Sequence, residues 1–432
     1  MERLAPSGSG RRPLHTRHEA GMLTITRHFA RWPRPVWFVM LGWVVNATGF
    51  AMVIPFMSLY FHQVLGVPMR YVAVLFLVTG VVRAVSGAWG GRLSDRWGRR
   101  PLLILAPAGR SAAFLGVAYL VWREAAFIPT AALLVVTFFM AAAYQPVGQA
   151  VVADVVAKER RLQAYAWTRV AMNLGWGLGP ALGGYLSQVS FALLFLIGAG
   201  LAALTSLLLA LGVPETAPHR TGAAHRTAGT GEPPSLLPDA QPLRDRRFLH
   251  YSIATLFLYL LMAQLVATLP VYAVEWVGIS KSQLGHLFTL NGLLVVLFQT
   301  TLTRILRRYP VVLVQSLGAL AYAVLYFSMA TAHGFAALVV LISCITFSEM
   351  AVTPGTVTVI SNMAPADRMG HYMGIFGLFS SAAWSFGPFI GGLLLDLFPH
   401  QPYALWSAVA VLGIASSVGY LSFRLRRGDY RA

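Results

Sequence analysis

Glu349 stands in the run Thr346-Phe-Ser-Glu-Met-Ala-Val-Thr-Pro354, with a long apolar stretch before it. A carboxylate at such a position is costly when charged, so it favours protonation or a close partner. That is the property required of a group that takes up and releases a proton. The competing reading is a structural acid, permanently protonated or paired with an arginine. Every other carboxylate falls in a tail, a loop or the end of an apolar run. Arg83 is the cationic counterpart, in the middle of its own run. It could balance a carboxylate, contact an anionic small molecule or serve a structural pair. Arg110 and Arg169 lie nearer the ends of their runs, where long side chains can snorkel.

The densest group of charges is Gly91-Arg-Leu-Ser-Asp95-Arg96-Trp-Gly98-Arg99-Arg100-Pro101. Read as a tight loop, its two glycines allow close backbone approach and positive φ, while Asp95 and the arginines form a switchable charge network. Gly175, Gly179, Gly183 and Gly184 share a helical face at spacing near four, which suits close helix packing, and Pro180 can bend that helix. Gly387-Pro388 and Gly391-Gly392 are expected to do the same further on. The neutral polar residues Asn46, Gln145, Asn173, Gln264 and Asn291, with Arg83 and Trp384, are candidates to line a cavity for an amphipathic, even cationic, small molecule.

The elements that must position these groups follow from composition. The chain has 432 residues, of which 57% are hydrophobic and 11% charged. That is too apolar for an ordinary soluble surface. The net charge of +18 does not indicate nucleic-acid binding, because the basic residues punctuate apolar runs instead of clustering on a polar domain. At about 1.5 Å rise per residue and about 30 Å of hydrocarbon, roughly 20 apolar residues make one crossing. Six such runs fall within residues 36–211 and six within 248–423. They lack the alternation of barrel strands and read as helices. Only Arg70, Arg123 and Lys281 fall in the loops of one side, and Arg83, Arg110 and Arg169 within spans; the rest of the 33 Lys and Arg lie on the side of the termini. Basic residues favour the cytoplasmic side, so both termini are expected there.

The expected organisation is a cytoplasmic tail over 1–35 without the features of a signal peptide, a bundle over 36–211, a flexible Pro- and Gly-rich linker over 212–247, a second bundle over 248–423 and a short tail over 424–432. The bundles look duplicated. Pro146, Asp154, Arg160, Gly179-Pro180 and Gly183-Gly184 recur at one constant offset as Pro354, Asn362, Arg368, Gly387-Pro388 and Gly391-Gly392. Parallel repeats of this kind enclose a cavity between the halves.

With these residues the chain resembles the major facilitator superfamily, and within it the twelve-helix drug:proton antiporter group that includes LmrP and MdtH. Gly91 to Pro101 matches that family's motif A. Gly175 to Gly184 is similar to the antiporter motif C, with Ala166 where a glycine is usual. The arginine-bearing motif B has no counterpart in Phe138 to Gln149. The resemblance implies two pseudo-symmetric six-helix bundles, an Asp95 that faces the start of helix eleven, and an Arg99 that pairs with Asp154. It implies that Gly91, Asp95, Gly98, Arg99, Arg100 and Asp154 form a latch holding the outward-open state, and that Glu349 belongs to the central cavity. The function it implies is proton-coupled efflux of small amphipathic compounds by alternating access. A carrier of a lipid, sugar or metabolite, and a receptor or scaffold on the same fold, are the alternatives. The expected partners are a small-molecule substrate, protons and membrane lipids, with no nucleic acid, no cofactor and no metal. The chain is expected to act as a monomer in the cytoplasmic membrane. Catalysis is not expected: no P-loop and no nucleophile constellation occurs, and Cys344 is the lone cysteine.

Overall fold

The computed structural model describes residues 32–157, 160–217, 241–365 and 368–427. Within them the chain makes twelve crossings: α1 (Arg34–Val64), α2 (Met69–Trp97), α3 (Arg99–Trp122), α4 (Phe127–Val155), α5 (Arg161–Val189) and α6 (Phe191–Gly212), then α7 (Arg246–Trp276), α8 (Lys281–Leu306), α9 (Val311–Thr331), α10 (Gly334–Met363), α11 (Met369–Leu397) and α12 (Pro402–Arg427). Eleven helices are long and apolar enough for a bilayer by composition alone. The exception is α5, whose apolar face is interrupted by Arg161, Gln163, Arg169 and Asn173.

Helix starts are set by local chemistry. Ser190 accepts the N–H of Leu193 at the start of α6, Asp245 accepts those of Arg247 and Phe248 at α7, and Ser280 with Gln283 closes a capping box at α8. Prolines 55, 107, 146, 180, 354 and 388 lie inside helices. They are tolerated because neighbouring helices compensate for the freed backbone groups.

The glycine motifs make the repeat visible in three dimensions. A side chain at Gly179 or Gly183 would strike the backbone of α1, and one at Gly387 or Gly391 would strike α7. The second glycine of each pair turns to the opposite half: Gly184 lies against Lys281 and Gly285 of α8, and Gly392 against Met69 and Ala73 of α2. Small residues thus serve two seams at once, one inside each half and one between the halves.

The expected loop at Gly91 to Pro101 is shorter than its sequence suggests. Gly91 lies within α2, and the turn is Gly98 alone, at φ 97° and ψ 162°, between the end of α2 and the start of α3. A residue with a Cβ is strained at that φ. Near the other chain segment expected to be linker, residues 213–217 pack back onto this turn, and a helical turn at Gln241–Arg244 precedes α7.

Candidate functional site

A cavity of about 580 Å³ lies between the first half and α11 of the second. From the first half, α1 supplies Trp43, Asn46 and Phe50, α2 supplies Gly80, Arg83 and Gly87, and α4 supplies Tyr144, Gln145 and Gln149. Met172 and Trp176 come from α5, and Ser380, Ser381, Trp384 and Ser385 from α11. Of the residues expected there, Asn46, Arg83, Gln145 and Trp384 line it.

Three do not. Gln264 is fully buried on α7, where its amide donates to the carbonyls of Leu260 and Gly387 and its oxygen accepts from Thr268. It holds α7 to α11, with both amide hydrogens spent on neighbouring carbonyls. Asn291 on α8 donates to Thr346 Oγ1 at 2.9 Å and to Glu349 Oε2 at 3.2 Å. Asn173 is exposed on α5 outside the cavity lining.

Glu349 therefore sits in the second half beside Asn291, set apart from the cavity wall, and no ion pair to it occurs among the described residues. The amide of Asn291 is a neutral donor and brings no countercharge to the carboxyl.

Of the three arginines within spans, Arg110 departs from expectation. Arg110 does not snorkel. Its side chain is 2% exposed, donates from Nη1 to Asn46 Oδ1 at 2.6 Å, and lies over the faces of Phe50 and Phe114, each 5.0 Å from the guanidinium. Arg169 is exposed on α5. Arg83 has neither hydrogen bond nor ion pair among the described residues.

At the end that carries the termini, Arg99 Nε meets Asp154 Oδ2 at 3.2 Å and Arg99 Nη1 donates to Ser94 Oγ at 2.7 Å. Glu215 completes the cluster, a residue the sequence reading left in the linker. Its carboxylate accepts the backbone N–H of Arg99 at 2.8 Å and of Arg100 at 3.3 Å, so it caps α3 from outside. Thr216 Oγ1 donates to Asp154, and Arg100 Nη2 to the carbonyl of Ala210. Burial pushes the Glu215 carboxyl up, but the N–H groups of Ala217, Arg99, Arg100 and Thr216 together hold it below the ordinary carboxylate value. The signal for it was an acid in Val213-Pro-Glu-Thr, directly after α6 and facing a basic turn. The side chain of Asp95 lies outside the described residues.

At the opposite end the halves are tied together. Asp396, at the end of α11, accepts the N–H groups of Met69 and Arg70 at 2.9 and 2.8 Å. His62 Nε2 lies 3.4 Å from Glu275 Oε2, linking α1 to α7. Gly184 and Gly285 bring α5 and α8 into contact, and Thr289 donates to the carbonyl of Gly177. The Arg99–Asp154 pair lies within one half and is formed while this far end is sealed, so the pair alone does not report which end is open.

The sequence profile of the Major Facilitator Superfamily matches residues 6–143, 39–388 and 252–431, which together run through nearly the whole chain. The chain belongs to the major facilitator superfamily. Its relatives in the superfamily include a Na(+), Li(+), K(+)/H(+) antiporter of Planococcus maritimus, 26% identical over 79% of this chain and 85% of its own length. The multidrug resistance protein MdtH of Escherichia coli is 22% identical over 88% of this chain and 91% of MdtH. The crystal structure of a mutant of the nucleoside transporter NupG shares the fold, with a TM-score of 0.71 at 14% identity over 90% of this chain and 99% of that one. As a superfamily member the protein is a multi-pass membrane transporter of small molecules and not an enzyme.

Proposed function

We propose that this transporter exports small amphipathic compounds in exchange for protons, by alternating access, as a monomer in the cytoplasmic membrane. The observation that carries the reading is Glu349: a carboxyl inside a membrane-spanning helix, hydrogen-bonded by the neutral Asn291 and without a countercharge among the described residues. Such a group gains or loses a proton without breaking an ion pair. The names of two relatives, an antiporter and a multidrug resistance protein, support the same direction.

The distribution of Lys and Arg supports an orientation with both termini in the cytoplasm. The sealed far end then faces outside, and the cavity belongs to a conformation that loads from the cytoplasm. In the cycle, a proton from outside reaches Glu349, substrate leaves outward, and the protonated carrier returns to release the proton inside. The test is substrate-induced proton flux in liposomes with a trapped pH dye. Export by exchange predicts protons moving opposite to the substrate, whereas co-directional or absent proton movement overturns the reading.

A further inference from the structure

Among the described residues that line the cavity, the formal charge is positive. Arg83 supplies it, and neither Asp nor Glu is among the lining residues. Arg83 also has no hydrogen bond or ion pair among the described residues, although an arginine in a membrane interior ordinarily finds one.

Asn46 adds to the same polarity. A guanidinium can only donate, so the Asn46 atom that meets Arg110 Nη1 must be the carbonyl oxygen. The amide NH2 of Asn46 is thereby left as a pair of donors on a residue that lines the cavity. Behind that wall, Arg110 is buried with Nε and Nη2 unbonded, against the Phe50 ring that also lines the cavity. Two guanidinium groups therefore raise the potential of one chamber, and low surrounding polarity strengthens the effect. Phe50, Trp176 and Trp384 give the chamber broad aromatic surface. A volume of about 580 Å³ is within the range of small-molecule sites.

We propose that the cavity selects organic anions: an aromatic or amphipathic acid whose carboxylate is held by Arg83 and the Asn46 amide while its apolar body packs against the aromatic walls. An arginine fork matches a carboxylate with two parallel hydrogen bonds. A cationic amphipath meets two positive groups and no carboxylate in the same chamber. The proposal rests on the reading of this cavity as the substrate site, and it names the substrate class.

The test is calorimetric titration of the full-length protein in lipid nanodiscs with a panel of aryl carboxylates, each paired with its amide and with the amine of equal length. The carboxylates bind more tightly than either partner. Arg83→Gln weakens them by roughly tenfold, the scale of a charge-assisted hydrogen bond, and leaves the amides unchanged. Arg83→Lys, with the charge kept, retains the preference for acids and guards against a folding artefact in the glutamine variant. Amines or amides that bind as tightly as the acids, or acids indifferent to Arg83→Gln, overturn the selection of anions and leave the cavity as a substrate site. Failure of the whole panel to bind the wild-type protein overturns both.

Discussion

Glu215 accepts the backbone N–H of Arg99 at 2.8 Å, so a carboxylate just beyond α6 caps the helix that begins at the basic turn of the first half. Its removal exposes N–H groups at a helix start and costs about 1 kcal/mol, as loss of a cap does elsewhere. Glu215→Ala is therefore expected to lower the apparent Tm of the detergent-solubilised protein. The folded carboxyl is held below its ordinary value of 4.5. Its contribution is thus fully present above that value and is lost as pH falls through the depressed one. The gap in Tm between wild type and Glu215→Ala should stay constant near neutrality and narrow only under acid conditions. A gap that widens on acidification contradicts the capping account.

His62 and Glu275 join the halves at the end away from the termini, where Asp396 also reaches Met69 and Arg70. His62→Gln removes the ion pair and leaves the Asp396 contacts. It should shift the population toward opening at this end. Spin labels at Gln63→Cys and Tyr403→Cys, with Cys344→Ser, will report longer distances in the His62→Gln variant. An unchanged distribution means that the pair does not contribute to the seal.

The two kinds of glycine seam predict two kinds of failure. A side chain at Gly179 meets backbone of α1 inside the same half, so Gly179→Val overpacks the bundle by about 1–3 kcal/mol and lowers the yield of folded protein. A side chain at Gly184 meets Lys281 and Gly285 across the halves. Gly184→Val should fold and yet fail to close the far end, which the same label pair reads as a long distance. Equal losses of folded protein in both variants contradict the division of work.

The crossings were legible because bilayer thickness imposes a length on every apolar run and basic residues mark every second loop. Even α5 was recoverable, since omitting it would invert every later loop. Which residues share a cavity was harder to read. Arg83 and Asn46 announced themselves by polarity, but so did Gln264, whose hydrogen bonds turn inward to Leu260 and Gly387. The sides of these helices that face lipid and those that face protein are both largely apolar, so periodicity does not say which face meets the cavity. Arg110 was misjudged because Asn46, its partner, comes from another helix, and Glu215 was missed because the turn it caps is distant in sequence. Local patterns carry helix identity; tertiary partners decide what a polar residue does.

Glu349 is the centre of the proposed coupling, and Glu349→Gln tests it most directly. The variant keeps the shape of the side chain and an acceptor for Asn291, and it cannot exchange a proton. In liposomes, transport should be compared in two modes: counterflow without a gradient, and accumulation driven by an imposed pH difference. Glu349→Gln should retain counterflow and lose pH-driven accumulation. Undiminished pH-driven accumulation in that variant contradicts the proposed coupling.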